Sequence, residues 1–203
     1  MSQRFAEIAF TPQVKALQTE LGSRDMYARL EKRDAPGDRL TEEEQAFIAQ
    51  RDSFYLASVS ETGWPYVQHR GGPAGFLKVI DPTTIAFADF RGNRQYVSVG
   101  NLLHDNRVAL FLMDYPNQLR LKILGHARIV SADETALLER LRTPGYRARA
   151  ERALAIQVAA FDWNCPQHIT PRFSSTEVEA IIAPLQARIT ELEQRLSGVK
   201  PAS

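Results

Sequence analysis

The sequence predicts a mostly β domain, six antiparallel strands forming a barrel or sandwich, flanked by helices at both ends. Three observations carry this. Short runs rich in aromatic and β-branched residues follow one another closely from Phe54 to Val130, separated by turns rich in Gly, Pro, Asp and Asn. Helix start signals precede them at Thr11 and Thr41. After them, apolar residues recur at alternating gaps of four and three from Val178 to Leu196.

Each element has its own signature. Thr11-Pro12 supplies an N-cap and a first-turn proline, Val14, Leu17 and Leu21 recur at helical spacing, and Gly22 stands where a glycine ends a helix. A second helix starts at Thr41, whose hydroxyl caps while Glu44, three residues on, reaches back; Phe47 and Ile48 give it something to bury. Arg33-Asp34-Ala35-Pro36-Gly37-Asp38 between them reads as a loop. From Ser53 the period switches from helix to strand. FYLASVS, the Glu61-Thr62-Gly63 turn and WPYVQHR make a hairpin. GFLKVI, an Asp81-Pro82-Thr83-Thr84 turn and IAFADF follow, then a short helix ending near Asn101-Leu102-Leu103. RVALFLMD, a Tyr115-Pro116-Asn117-Gln118 turn and LRLKILGHARIV complete the six strands. Ala132 to Arg142 reads as a polar-faced helix carrying Leu137, Leu138 and Leu141. The organisation expected is a helical N-terminal extension at 1–52 packed on the barrel, the barrel at 53–173, and a C-terminal amphipathic helix at 174–203.

In that last helix Val178, Ile182, Leu185, Ile189, Leu192 and Leu196 trace the heptad seam of a coiled coil, and Pro184 is expected to bend it or begin a new helix. Two readings fit: a self-pairing helix, or an amphipathic helix packed on its own or the neighbouring barrel; with only about two heptads after Pro184, docking against the barrel dimer is the one expected.

Bulk properties narrow the function. The 203 residues are 44% apolar with a net charge of +1, enough for one core and without the basic patch of a nucleic-acid binder. No apolar run approaches the roughly 20 residues of a membrane span, and residues 1–10 lack the layout of a secretory signal, so a cytoplasmic location is expected. One cysteine forms no internal disulfide, and with four scattered histidines it gives no zinc spacing, so no metal is expected. Cys165 stands three residues before His168, a spacing that raises a nucleophile. With no third orienting group it reads instead as a buried, inert cysteine.

From about Phe54 to Val130 the chain resembles the FMN-binding split barrel of the pyridoxamine 5'-phosphate oxidase-related proteins. The resemblance lies in the strand and Gly-Trp-Pro turn, HRGGPAGFLKV, the run DPTTIAFADFRGNRQYVSVGNLLHDNRVALFL, and the hairpin into RLKILGHARIV. FDWNCPQHITPRF is similar to a segment of the family's predicted flavin-nucleotide-binding branch. The pattern is spread over well over half the chain rather than concentrated in one fingerprint.

This resemblance implies flavin mononucleotide as cofactor. In the family, basic residues after the second strand and at the start of the short helix hold the phosphate; here these positions are His69 and Arg70, Lys78, and Arg91, Asn93, Arg94 and Gln95. Guanidinium forks suit a phosphate because they bond it bidentately. Asn93 is placed to cap the helix whose N-terminal amides favour an anion. Any one of these cations alone fits a solvated surface charge. The Ala88-Asp89-Phe90 strand would run alongside the ring, and Gln118-Leu119-Arg120 would bring a hairpin amide or guanidinium to its edge. Gln118 also fits a plain polar turn. Trp163 and His168 lie in a segment that, in related proteins, approaches the flavin of the neighbouring subunit, so a homodimer with flavin at the subunit interface is implied. Trp163 equally fits an ordinary core aromatic.

Flavin supplies hydride or electron transfer itself, so no acid–base pair is required. The reading is a flavin-dependent oxidoreductase acting on a small molecule with a nicotinamide nucleotide or oxygen. The alternatives are a non-catalytic FMN carrier or redox sensor, and a barrel turned to a deazaflavin or haem. After Trp163 the chain offers Pro171-Arg172-Phe173 where pyridoxamine phosphate oxidases carry arginine-leucine and aspartate-arginine pairs for their substrate, so vitamin B6 oxidation is not implied.

Overall fold

In the computed structural model, residues 2–32, 37–163 and 165–198 are described; residues 33–36 of the expected loop lie outside them. The N-terminal part is helical throughout: α1 (Gln3–Ala9), α2 (Pro12–Glu20), α3 (Arg24–Glu31) and α4 (Glu42–Ala49). Thr11 caps α2 through its hydroxyl, with Pro12 in the first turn. Thr41 and Glu44 form the reciprocal capping box that starts α4. This helix sets Phe47 and Ile48 into the main core, while α1 is tied to the sheet by the Ser2 hydroxyl, which donates to the Phe161 carbonyl at 2.7 Å.

The strands are β1 (Ser53–Val59), β2 (Pro65–Gly71), β3 (Lys78–Asp81), β4 (Thr84–Phe90), β5 (Arg107–Asp114), β6 (Leu119–Ile129) and β7 (Ala150–Trp163), with α5 (Val97–His104) before β5 and α6 (Thr135–Arg140) before β7. They form one antiparallel sheet in the order β2-β1-β5-β6-β7-β4-β3. The sheet closes on itself. β1 and β4 stand four places apart, roughly 19 Å in a flat sheet, yet the rings of Phe54 and Phe87 are 5.2 Å apart. The core they share also takes Leu56, Leu110, Leu112, Leu121, Ile123, Leu154 and Ile156. β2 and β3 are left as the two edges of a split barrel. Turn chemistry agrees with the sequence. Gly63 takes φ 84° in the β1–β2 hairpin, Asp81 accepts from the Thr83 amide, and Asp114 accepts from the Asn117 amide.

The strand count corrects the expectation of six. β7 is a seventh strand, paired with both β6 and β4 at the centre of the sheet. Its sequence, AERALAIQVAAFDW, is buried on both faces for most of its length, so it shows no apolar–polar alternation, and its five alanines are weak strand formers. At Gly125, where the β6–β7 register shifts, a Cβ would lie 2.5 Å from the Gln157 carbonyl oxygen, so only glycine admits that approach.

The C-terminal helix, α7 (Ser175–Gly198), runs unbroken through Pro184 and does not restart there. Ser174 and Glu177 cap its start reciprocally. Residues 175–197 are exposed, so the helix is not packed on its own barrel.

Candidate anion site at the start of α5

A cleft of 190 Å³ lies between β2, the end of β4 and the first turn of α5. The alternation of β2 turns Tyr66, Gln68 and Arg70 toward it, whereas Val67 and His69 face the other way. α5 is fixed beneath it by Leu102 in the core and by the buried Asn101 amide, which donates to the Ser58 hydroxyl on β1 at 3.0 Å.

The loop joining β4 to α5 is strained. Arg94 and Tyr96 both take left-handed backbone, φ 61° and 56°, a conformation costing a non-glycine residue on the order of 1 kcal/mol. Asn93 does not cap the helix, as its side chain accepts instead from the Gln95 amide at 3.2 Å. Tyr96 occupies the N-cap position and provides no side-chain cap. The first-turn residues Val97, Ser98 and Val99 line the cleft, and their end of the helix carries its positive dipole there. Arg94 is exposed at the mouth, with Nε donating to the Tyr96 hydroxyl at 3.1 Å. Strained loop, uncapped helix start and guanidinium together make a cradle for an oxyanion.

Arg70 meets a competitor there. It donates to Asp89 at 2.5 Å while its Nε is buried without a partner, and Arg152 stands 3.8 Å from the other Asp89 oxygen. Burial raises the Asp89 carboxyl above its ordinary range, against the pull of Arg70 and Arg152. The folded chain therefore holds this proton at pH values where the unfolded chain has lost it. Stability from that source is present below the unfolded pKa and is lost as pH rises through the folded pKa. An anion entering the cleft competes with the Asp89 carboxylate for Arg70. Asp89→Asn is expected to tighten binding of a phosphate monoester about fivefold at neutral pH. The gap between variant and parent should narrow as pH falls through the folded pKa, because position 89 then carries no charge in either; a gap independent of pH would refute the competition.

The residues singled out in the sequence divide into two groups. Arg70, Asp89, Phe90, Asn93, Arg94 and Gln95 line the cleft. Arg91 stands just outside, 3.6 Å from Glu151. Lys78 lies on β3 opposite Ala86 and does not line the cleft. His69, on the far face of β2, makes an edge contact with Tyr55. The others gather elsewhere: Gln118 donates to the Ile169 carbonyl at 2.6 Å, Arg120 to the Cys165 carbonyl at 3.2 Å, and Trp163 to Glu44 at 2.6 Å while meeting Phe47 edge-on. His168 is exposed in the same segment, and Cys165 is exposed, not buried. Asn164 lies outside the described residues. Phe90 pairs with Ala150 and Leu121 with Trp163, so the groups sit at opposite ends of the 14-residue β7, roughly 40 Å of extended chain.

Tyr66, Gln68, Tyr96, Ser98, Glu151 and Arg152 complete the region without having been singled out in the sequence. The period of β2 carries the first two; Glu151 and Arg152 lie on the strand the sequence does not announce. A larger cleft of 930 Å³ adjoins, sharing Phe90 and Glu151 and walled by Ala88, Tyr146 and Arg142 beside α6. Among the described residues no group of three or more His, Cys, Asp or Glu is placed to hold a metal, and no helix is long and apolar enough to cross a membrane.

The family model for pyridoxamine 5'-phosphate oxidase matches residues 40–162, more than half the chain. No curated protein matches. Solved structures do. HupZ from Group A Streptococcus is 16% identical with a TM-score of 0.46, over 66% of this chain and 99% of that one. An FMN-binding protein from Syntrophomonas wolfei is 13% identical with a TM-score of 0.45, over 72% and 97%. A Clostridium acetobutylicum protein of the pyridoxinephosphate oxidase family, related to general stress protein 26, is 17% identical with a TM-score of 0.44, over 67% and 94%.

Proposed function

The chain belongs to the pyridoxamine 5'-phosphate oxidase family, and from that premise we propose that it binds flavin mononucleotide and serves as a flavin-dependent oxidoreductase for a small molecule. The observation that carries the reading is the cradle at the start of α5, where Arg94, Arg70 and an uncapped helix terminus converge. Its chemistry suits a phosphate monoester. The 190 Å³ cleft is smaller than the roughly 300 Å³ at which small-molecule pockets begin. It admits the phosphate end and leaves the ring to lie beyond it, along Ala88 and Phe90. Bound FMN would supply the redox chemistry, and the chain's part is to fix the phosphate and exclude water from the ring.

Ring-edge residues at the far end of β7 serve a flavin held at α5 only if a second subunit brings them, which favours a homodimer with flavin at the interface. The apolar groove on the outer face of β1, β2, β5 and β6, walled by Tyr55, Ala57, Val67, Ala109 and Leu124, suits a self-complementary contact. Light scattering of the FMN-loaded protein is expected to give twice the 22.9 kDa chain mass; a single-chain mass counts against the interface site.

Quenching of FMN fluorescence by the purified protein, with riboflavin as the phosphate-free comparison, tests the cofactor. A protein that ignores FMN removes the reading. Anaerobic reduction of the bound flavin by NADH or NADPH separates an oxidoreductase from a carrier or sensor, which would leave it oxidised.

A further inference from the structure

The 24-residue α7 is a helix without a core of its own. Ile182, Leu185 and Ile189 are 41%, 59% and 55% exposed, and Val178, Leu192 and Leu196 continue the same stripe. A stripe of six large apolar side chains facing water marks a surface that another element covers. We infer that α7 pairs with α7 of a second copy as a parallel, in-register, two-stranded coiled coil.

The heptad assigns both strand number and direction. Gaps of four and three put Ile182, Ile189 and Leu196 at a, and Val178, Leu185 and Leu192 at d. Two of the three a positions are β-branched (Ile182, Ile189) and two of the three d positions are leucine (Leu185, Leu192), the pattern that favours two strands in a parallel coil. Pro184 falls at c, on the outer face, where its ring and missing amide stay clear of the seam. That is why a proline interrupting the helical hydrogen bonds is compatible with the contact.

Charge decides against the antiparallel arrangement. The g positions include Arg188 and Arg195, and the e positions Glu179 and Glu193. In a parallel pair, g of one helix meets the e that follows it in the other, so Arg188 faces Glu193. In an antiparallel pair g faces g and e faces e, setting Arg against Arg and Glu against Glu. Among the described residues of its own chain Arg188 has only the exposed pair with Glu191 on the same helix, so it is available to a partner at little cost. This contact is independent of the flavin reading, because it uses no residue before Ser175.

Single-cysteine crosslinking of the full-length chain tests it. In a Cys165→Ser background, Ile189→Cys at the seam is expected to give a covalent dimer under a mild copper oxidant, at several times the yield of Ala187→Cys on the outer face. Adding Arg188→Glu should cut the Ile189→Cys yield several-fold, and adding Glu193→Arg as well should restore it. Ile182→Cys should crosslink as readily, whereas antiparallel pairing sets the two copies of position 182 about 15 Å apart along the axis and docking of α7 on a neighbouring barrel leaves neither position opposite its copy; failure at 182 overturns the parallel direction. Equal yields at 187 and 189, no crosslink at 189, or indifference to Arg188→Glu overturns the proposal.

Discussion

Arg94→Ala is expected to weaken FMN binding about 30-fold, the scale of one lost charge-assisted contact to phosphate, and to leave riboflavin binding within about twofold. The structure makes this substitution clean. Arg94 is exposed and, among the described residues, its guanidinium bonds only to the Tyr96 hydroxyl, so the barrel should melt as before. Position 94 also has left-handed backbone, which alanine tolerates less well than glycine. Arg94→Gly therefore serves as the control: it removes the same charge while relieving the loop, and both variants should lose the same phosphate-dependent affinity. FMN titrations unchanged in both would withdraw Arg94 from the site.

Arg70→Ala should behave differently, because Arg70 is already engaged. Removing it leaves the buried Asp89 with only the more distant Arg152, at a cost of about 2 kcal/mol of stability. A fall in FMN affinity in that variant alone would mix two effects. The pair Arg70→Ala, Asp89→Asn separates them: stability should largely recover while the phosphate contact stays lost.

These variants rest on features of unequal visibility in the sequence. The α4 capping box is local, with donor and acceptor three residues apart, and so Thr41 and Glu44 announce it. The hairpins are local too, and their turn residues mark them. β7 is different: it pairs on both sides with strands distant in sequence, and burial of both faces erases the alternation by which a strand is recognised. Missing it hides Glu151 and Arg152, the neighbours that complete the Asp89 cluster. The misplaced cap has a similar cause. Asn93 carries the right side chain, but the chain turns twice through left-handed backbone before the helix begins, and the cap position falls to Tyr96, a residue no propensity would nominate. The exposure of α7 lies beyond single-sequence reasoning altogether, since a heptad seam looks the same whether its partner is the barrel or a second helix.

Glu44→Ala is expected to cost about 3 kcal/mol of stability, from two losses that compound. One is the capping box: Glu44 Oε2 accepts from the Thr41 amide at 2.9 Å and its hydroxyl at 2.6 Å, a start signal worth about 1 kcal/mol. The other is the bond from the Trp163 indole to Oε1 at 2.6 Å, a charge-assisted contact of about 2 kcal/mol whose removal strands a half-buried donor against Phe47. Glu44 is 4% exposed, so water cannot easily replace either. Glu44→Gln should fall between, because one amide oxygen cannot serve both the Trp163 indole and the Thr41 amide. Denaturant unfolding followed by Trp163 emission, in a Trp64→Phe background that silences the exposed second tryptophan, measures the loss. A cost below about 1 kcal/mol would mean the capping box alone is felt. The same variant bears on the flavin. If Trp163 acts only as an anchor between α4 and β7, FMN affinity in folded Glu44→Ala stays unchanged. If its ring must also be held against a flavin on the second subunit, affinity falls with the lost indole bond while riboflavin and FMN are affected alike, since the phosphate lies at the other end of β7.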